Sequence, residues 1–214
     1  GMDIAESMKI DATGKTLTLV VDNPKDAGAG IKINVENNSV IKADTLKMDL
    51  RSTEVVAGGG LKGVNITNLN AKLTVDGNLD ITADGNVDTI GIYNRGNVVV
   101  NGDAKVNLEG HNGGTKYYGA SGIYATSGMG NTKGGSITVN GNVDFQGNAN
   151  GLFANSGGAV INVNGGSIVV SEEQNMDYAA IRAEDGTVNM NVVRGEDGNV
   201  TGADTNDVNI KGNV

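Results

Sequence analysis

Gly91-Ile92-Tyr93-Asn94, Gly122-Ile123-Tyr124-Ala125 and Gly151-Leu152-Phe153-Ala154 are three copies of one short phrase. A degenerate fourth copy, Ala180-Ile181-Arg182-Ala183, follows at nearly the same interval. A near-constant period of roughly 30 residues is typical of proteins that stack one structural unit per repeat.

A second phrase, Val-x-Val-Asn-Gly or a close variant, follows each clear copy of the first. It reads Val98–Gly102, Ile137–Gly141 and Ile161–Gly165, and a further short apolar-polar segment comes after it, as in Ala104–Leu108 or Asn142–Phe145. Each repeat therefore predicts three short strands separated by corners at which Gly and Asn favour tight turns.

Short segments in which apolar and polar residues alternate recur from end to end of the chain, as in Thr16–Val21, Ile31–Val35 and Leu46–Leu50. This period of two places one set of side chains in a core and the other in water. We expect an all-β, right-handed parallel β-helix (β-solenoid) with about 25–31 residues per coil. A Greek-key sandwich would also give frequent turns, but sandwiches do not normally repeat their own sequence. The predicted core residues are Ile92, Val100, Val106, Ile123, Val139, Val143, Leu152, Val163, Val169, Ile181, Val188 and Met190.

The side chains outside this core have predicted roles of their own. Asn residues at equivalent corners are expected to stack as amide ladders along the axis. Tyr93, Tyr124 and Phe153, at the same place in successive coils, are expected to stack on one another. Large rings are awkward in a narrow core, in keeping with an aromatic content of only 3%.

The pattern indicates one β-helix segment over residues 1–214, as a fragment of a longer protein. Residues 1–60 carry less regular coils without the phrase, and residues 61–214 carry the clear repeats. A Gly-rich insertion at about 109–132 lies before and after the second copy of the phrase. Gly1 before Met2 resembles a scar of tag removal.

Composition excludes several classes of protein. The 34 Gly and single Pro, without a three-residue period, rule out collagen and long helices. The formal net charge of −9 argues against nucleic-acid binding, which needs a basic surface. We expect no membrane insertion in this segment, because no apolar run approaches the length of a membrane-spanning helix.

Together these features resemble the passenger regions of bacterial autotransporters, the type V secreted proteins with pertactin-like and adhesin-like members. The resemblance rests on irregular repeats rich in Gly, Asn, Val and Thr, on phrases such as Gly91-Ile92-Tyr93-Asn94, and on the absence of Cys. It covers residues 60–214 well and the first 60 by strand pattern only. It implies an extracellular location at the bacterial cell surface, anchored through a C-terminal translocator barrel that this sequence lacks.

Candidate catalytic residues are carboxylates that adjacent coils could bring together, as glycoside hydrolysis requires. The candidates are Asp80, Asp84 and Asp88, then Asp103 with Asp144, then Glu172, Glu173 and Asp177. Solvated faces and turns explain these residues better, and the signatures of β-helix lyases and hydrolases are absent. We therefore expect no catalytic residue, no cofactor and no metal site, although Asp-Gly-Asn turns such as Asp76–Asn78 leave calcium open.

Ligand contact is most plausible on the insertion. Tyr117 and Tyr118 lie outside the repeat phrase, and His111, the single histidine, lies in the same stretch. Exposed aromatic rings offer an amphipathic contact surface. We expect a non-enzymatic stalk or adhesin segment whose partner is a host-cell or matrix glycan or protein. The alternatives are a carbohydrate-active β-helix enzyme, lyase-like or hydrolase-like, and a purely structural filament or surface-layer segment.

Overall fold

A computed structural model describes residues 1–22, 28–53, 60–85, 89–109, 120–127, 133–171, 178–190, 192–194, 200–203 and 208–211. All regular structure in these residues is strand. The strands are β1 (Met2–Asp3), β2 (Lys9–Asp22), β3 (Ala29–Ile33), β4 (Asn38–Ser52), β5 (Leu61–Ile66), β6 (Lys72–Gly85), β7 (Thr89–Asn94), β8 (Asn97–Val100), β9 (Ala104–Glu109), β10 (Ser121–Thr126), β11 (Ser136–Gly147), β12 (Asn150–Asn155), β13 (Val160–Val170), β14 (Ile181–Glu184), β15 (Thr187–Met190), β16 (Val192–Arg194), β17 (Val200–Ala203) and β18 (Val208–Lys211).

Two parallel sheets face each other across the core. Sheet one has seven strands in the order β1-β3-β5-β7-β10-β12-β14, and sheet two runs β15-β13-β11-β8-β6-β4-β2, with β9 and β18 beside it. From β1 to β15 the chain alternates between these sheets, so each coil adds one layer to both, whereas β16 and β17 form a separate antiparallel pair. This is a β-solenoid of the parallel β-helix type, as the repeat predicts.

The repeat phrase sets the register of sheet one. Ile92 pairs with Ile123, Ile123 with Leu152, and Leu152 with Ile181, which are the steps read from the sequence. In sheet two, the number of residues along the chain between paired positions varies more. Val100 pairs with Val75 on one side and, on the other, with Val139, which is further away in the sequence. Loops of different length therefore enter between coils without disturbing the stacking.

The second and third predicted strands of a coil belong to one sheet. In β4, β6, β11 and β13 they are two arms of a continuous strand, and the pairing register shifts where the arms meet, as between Val139 and Asn142. β8 and β9 are separate strands, across Asn101–Asp103, and so are β15 and β18, which pair with the two arms of β13. The Asn-Gly corners are thus bulge-like bends, which turn a strand without ending its sheet.

The core is a continuous, mostly aliphatic column, and most of the predicted core residues lie in it. Val169 does not: it is half-buried and faces outward, whereas Ile168 and Val170 point into the core. The bend before Ile168 shifts the alternation, because Ile168 pairs with the inward-facing Phe145. Three further predicted core residues pack against the column but are only partly buried, namely Ile181, Val188 and Met190.

A row of glycines in sheet one makes room for the side chains of sheet two. Gly30, Gly63, Gly91, Gly122 and Gly151 follow one another along the axis, and a Cβ on each would meet the carbonyl oxygen of the next residue in the row. It would also meet a core side chain from sheet two: Met48, Ile81, Val106, Phe145 and Ile168 in the same order. The glycine of the repeat phrase therefore allows side chains of sheet two to pack against the backbone of sheet one. It lets the ring of Phe145 lie inside the core, so the expectation that large rings are excluded is wrong at this position.

Candidate functional site

The most regular polar feature is the corner ladder, formed by Asp76, Asn101 and Asn140 on successive coils. Asn101 Nδ2 donates to Asp76 Oδ1 at 3.2 Å, and Asn140 Nδ2 donates to Asn101 Oδ1 at 3.0 Å. This confirms the predicted stacking of corner amides. Below the ladder, Asp44 Oδ1 accepts the N–H of Gly14 at 2.9 Å. Asp44, Asp76 and Asn101 line a shallow cleft of about 330 Å³.

A second set of bonds runs beside the corner ladder and uses backbone donors. Asn78 Oδ1 accepts the N–H of Asp103 at 2.9 Å, and Asp103 Oδ1 accepts the N–H of Asn142 at 2.8 Å. The carboxylate of Asp103, a candidate acid from the sequence, is therefore bound to the next coil. Its role is structural: it satisfies a backbone donor at a bend where sheet pairing is interrupted.

Replacing Asn101 with Asp tests the corner ladder. The change removes the donor to Asp76 and puts two carboxylates in contact, so we expect a loss of about 1 kcal/mol of unfolding free energy at pH 7. The repulsion raises the pKa of the new carboxyl in the folded state, so the loss should shrink as pH falls below about 4, where it is protonated. Urea unfolding at pH 7 and pH 3.5 measures this. Asn70→Asp, in the turn after β5, is the control, and an equal loss in both variants would contradict the ladder.

The charged row lies on the outer face of sheet two, where Lys47, Asp80, Lys105 and Asp144 occupy consecutive strands in register. Charges of opposite sign alternate, which favours side-by-side packing of the strands. Asp80 and Asp144, both candidates from the sequence, are two strands apart with Lys105 between them. Their backbones are therefore about 10 Å apart at the usual strand spacing of ~4.8 Å. A shallow groove of about 270 Å³ runs beside Lys105 and Asp144.

The carboxylate pair is a second outward-facing feature of sheet two. Asp84, near the end of β6, pairs in register with Glu109, the last residue of β9. Side chains directly opposite on neighbouring strands have Cβ atoms about 5 Å apart. Arg51 lies opposite Asp84 on the other side, and Asn107 Nδ2 donates to Glu109 Oε1 at 2.7 Å. Asp84 is a candidate from the sequence, but Glu109 is not, because this partner is identified only by strand register.

The aromatic stack forms as predicted. Tyr93 and Tyr124 meet edge to face with centroids 5.5 Å apart, and Tyr124 stacks on Phe153 at 4.9 Å. Cations lie over both ends, with Lys62 Nζ 5.9 Å from the Tyr93 ring and the Arg182 guanidinium 5.0 Å from the Phe153 ring. The rings belong to a cluster separate from the main core. Such contacts add to the cohesion of five successive coils.

Burial raises the pKa of the Tyr93 hydroxyl above its usual value, and the neighbouring Tyr124 raises it further, while Arg95 partly offsets both. A raised folded-state pKa stabilises the fold below about pH 10, and this contribution is lost as pH rises through the folded pKa. We expect Tyr93 to ionise late in a spectrophotometric titration. Tyr93→Phe should reduce the late-ionising signal by the amplitude of one tyrosine, and Tyr124→Leu should move the ionisation of Tyr93 to lower pH. A late signal of unchanged amplitude in Tyr93→Phe would contradict the assignment.

Several sequence-predicted residues fall outside the described part of the chain. The proposed contact residues Tyr117, Tyr118 and His111 are among them, as are Asp88, Glu172, Glu173 and Asp177. Within the described residues, no group of three or more His, Cys, Asp or Glu side chains converges to hold a metal ion. The same part of the chain contains no helix long and apolar enough to cross a membrane.

Comparison with protein-family models, with curated protein sequences and with solved structures found no match to this chain.

Proposed function

We propose that the chain is a non-enzymatic β-helical stalk, or adhesin segment, of a surface-exposed autotransporter-like protein. The observation that supports a stalk is that side chains outside the main core bond or stack from one coil to the next. The corner ladder, the backbone-binding carboxylate of Asp103 and the aromatic stack all join one coil to the next. Side chains used in this way give axial cohesion, which a rod under tension requires.

The cell-surface part of the proposal rests on the sequence resemblance. A chain without Cys can cross an oxidising periplasm without becoming locked by disulfides. Parallel coils that each pair mainly with their neighbours can also form one after another as a chain emerges from a pore. The partner in this proposal is a host-cell or matrix glycan or protein, and recognition falls to loops between coils.

A secretion experiment tests this proposal. The chain is expressed between a periplasmic signal peptide and an outer-membrane translocator barrel, and intact cells are treated with protease. We expect a protease-resistant fragment at the cell surface that surface antibodies detect. Gly122→Val, which should prevent coil stacking, is the matched control and should give a protease-sensitive product. Equal protease sensitivity of both chains at the surface would contradict the proposal.

The carboxylate pair favours one alternative, a retaining glycoside hydrolase. Asp84 and Glu109 lie in register on adjacent strands, and retaining enzymes place their two carboxyl groups about 5–5.5 Å apart. The test is release of reducing ends from acidic and neutral polysaccharides by the purified chain. If the chain shows turnover that Asp84→Asn and Glu109→Gln each abolish and Asp80→Asn does not, the enzyme replaces the stalk as the proposed function. Absence of turnover would support the stalk.

A further inference from the structure

The groove on the outer face of sheet two lies between two rows of side chains that β9, β11 and β13 place in register. Two strand spacings make the groove about 10 Å long, and two residues along a strand make it about 6.6 Å wide. These dimensions fit one extended disaccharide lying along the axis of the solenoid. The first row is Lys105, Asp144 and Ser167, and the second is Asn107, Gln146 and Val169.

The groove belongs to the interior of the sheet. β6 pairs with β9 on one side of the three strands, and β18 pairs with β13 on the other. The backbone groups under the groove are therefore engaged in parallel pairing, and a ligand there can contact only side chains. A peptide that binds by adding a strand needs a sheet edge instead, so this mode of recognition does not apply.

The side chains of the groove differ from those of the corner ladder in having polar groups that do not join one coil to the next. Lys105 and Asp144 are neighbours in register, yet neither makes an ion pair or hydrogen bond within the described part of the chain, and the same holds for Gln146. Asn107 Nδ2 donates to Glu109 Oε1 at 2.7 Å, which leaves Asn107 Oδ1 as an acceptor. An ammonium, a carboxylate and two amides are thus free to bind a ligand.

The chemistry of these groups selects sugar hydroxyls. A hydroxyl both donates and accepts, so it pairs with carboxylate, amide and ammonium groups alike. Lys105 and Asp144 cancel in charge, and the formal net charge of −9 on the chain opposes the approach of a polyanion. Val169, half-buried and facing outward, adds an apolar surface for the C–H face of a pyranose ring.

We propose that this groove binds a neutral oligosaccharide, whose sugar rings lie along the solenoid axis between the two rows. Asp144 and Asn107 Oδ1 accept hydrogen bonds from sugar hydroxyls, Lys105 donates, and Gln146 does both. This inference rests on the adhesin part of the proposed function. It assigns the partner as a glycan and adds a site on a sheet face to the loops between coils.

A glycan array tests the class of ligand. The labelled chain is applied to neutral β-linked oligosaccharides of glucose, galactose and N-acetylglucosamine, beside sialylated, uronate-containing and sulfated ones. We expect binding to neutral members. The neutral oligosaccharide with the strongest signal is then titrated into the purified chain, and amide chemical shifts should change chiefly at residues 105–107, 144–146 and 167–169.

Substitutions on the two rows test the site. Asp144→Ala should weaken binding of that oligosaccharide about tenfold and Gln146→Ala about fivefold, since hydrogen bonds to a charged group are the stronger ones. Asp80→Ala is the matched control, because Asp80 lies in the same charged row one strand outside the groove, and it should leave the affinity unchanged. All three variants should keep the circular dichroism of the unaltered chain.

Three results would overturn the proposal: no binding to any neutral glycan, binding to acidic glycans alone, or equal affinities in Asp144→Ala and Asp80→Ala. The secretion experiment fails separately. Surface display without glycan binding would overturn the groove assignment and leave the stalk, whereas glycan binding by a purified chain that cannot be displayed would leave the groove assignment and overturn the surface function.

Discussion

Replacing Gly122 with alanine is expected to lower the free energy of unfolding by about 3 kcal/mol, the upper end of ordinary overpacking costs. The new methyl group would lie 2.7 Å from Cε2 of Phe145 and 2.8 Å from the carbonyl oxygen of Gly151. Neither atom can retreat freely, since Phe145 is fully buried and Gly151 belongs to the next coil. Chemical denaturation of the two proteins measures the difference.

Gly157→Ala is the matched control, because a Cβ at Gly157 meets nothing within 4 Å. It should change stability by less than about 0.5 kcal/mol. A double variant separates packing from backbone effects. Phe145→Leu frees space beside Gly122, so the loss in Gly122→Ala/Phe145→Leu should be smaller than the sum of the two single losses by about 1 kcal/mol. Additive losses would mean that the glycine row does not accommodate the side chains of sheet two.

Asn94→Ala is expected to cost about 3 kcal/mol, because three hydrogen bonds at a buried turn are lost together. The fully buried Asn94 side chain donates to the carbonyls of Ser136 at 2.8 Å and Gly96 at 3.1 Å, and accepts the N–H of Gly96 at 3.0 Å. It thereby closes the turn from sheet one to sheet two and ties it to the next coil. Denaturant unfolding gives the change.

Asn94→Asp extends this test with a side chain of the same size. A carboxylate at this position has no hydrogen to donate to the carbonyl oxygens of Ser136 and Gly96, and its charge would be buried against them. The loss of unfolding free energy should therefore exceed that of Asn94→Ala. Asn70→Ala, at an exposed turn position, is the control and should lie within about 0.5 kcal/mol of the unaltered chain. If Asn94→Asp were as stable as the unaltered chain, the hydrogen bonds at this turn would not hold the coils together.

The features that follow from local periodicity were predictable from the sequence. The repeat phrase indicates the pairing of Ile92 with Ile123 and Leu152, because stacked coils must place equivalent residues side by side. The stacking of Asn140 on Asn101 and of Tyr124 on Phe153 follows from the same translation. Such predictions need only the repeat length.

Features that join different parts of a coil were not predictable in this way. The bend at Asn140–Gly141 keeps both arms of β11 in one sheet, and the shift of alternation at the equivalent bend of β13 turns Val169 outward. The fit between Gly122 and Phe145 links two sheets, and the pairing of Asp84 with Glu109 depends on exact register. These contacts depend on the number of residues in each bend and turn within a coil, and that number does not follow the repeat.

Mechanical extension of a single molecule tests the stalk most directly. With handles at residues 2 and 190, the described coils should keep their length under load and then unravel in steps. Each step should release one coil of about 29 residues, which adds about 100 Å of extended chain. We expect the unaltered chain to unravel in steps, and we expect the steps to occur at lower force in Gly122→Ala. Smooth extension without steps would contradict a cohesive rod built from interlocked coils.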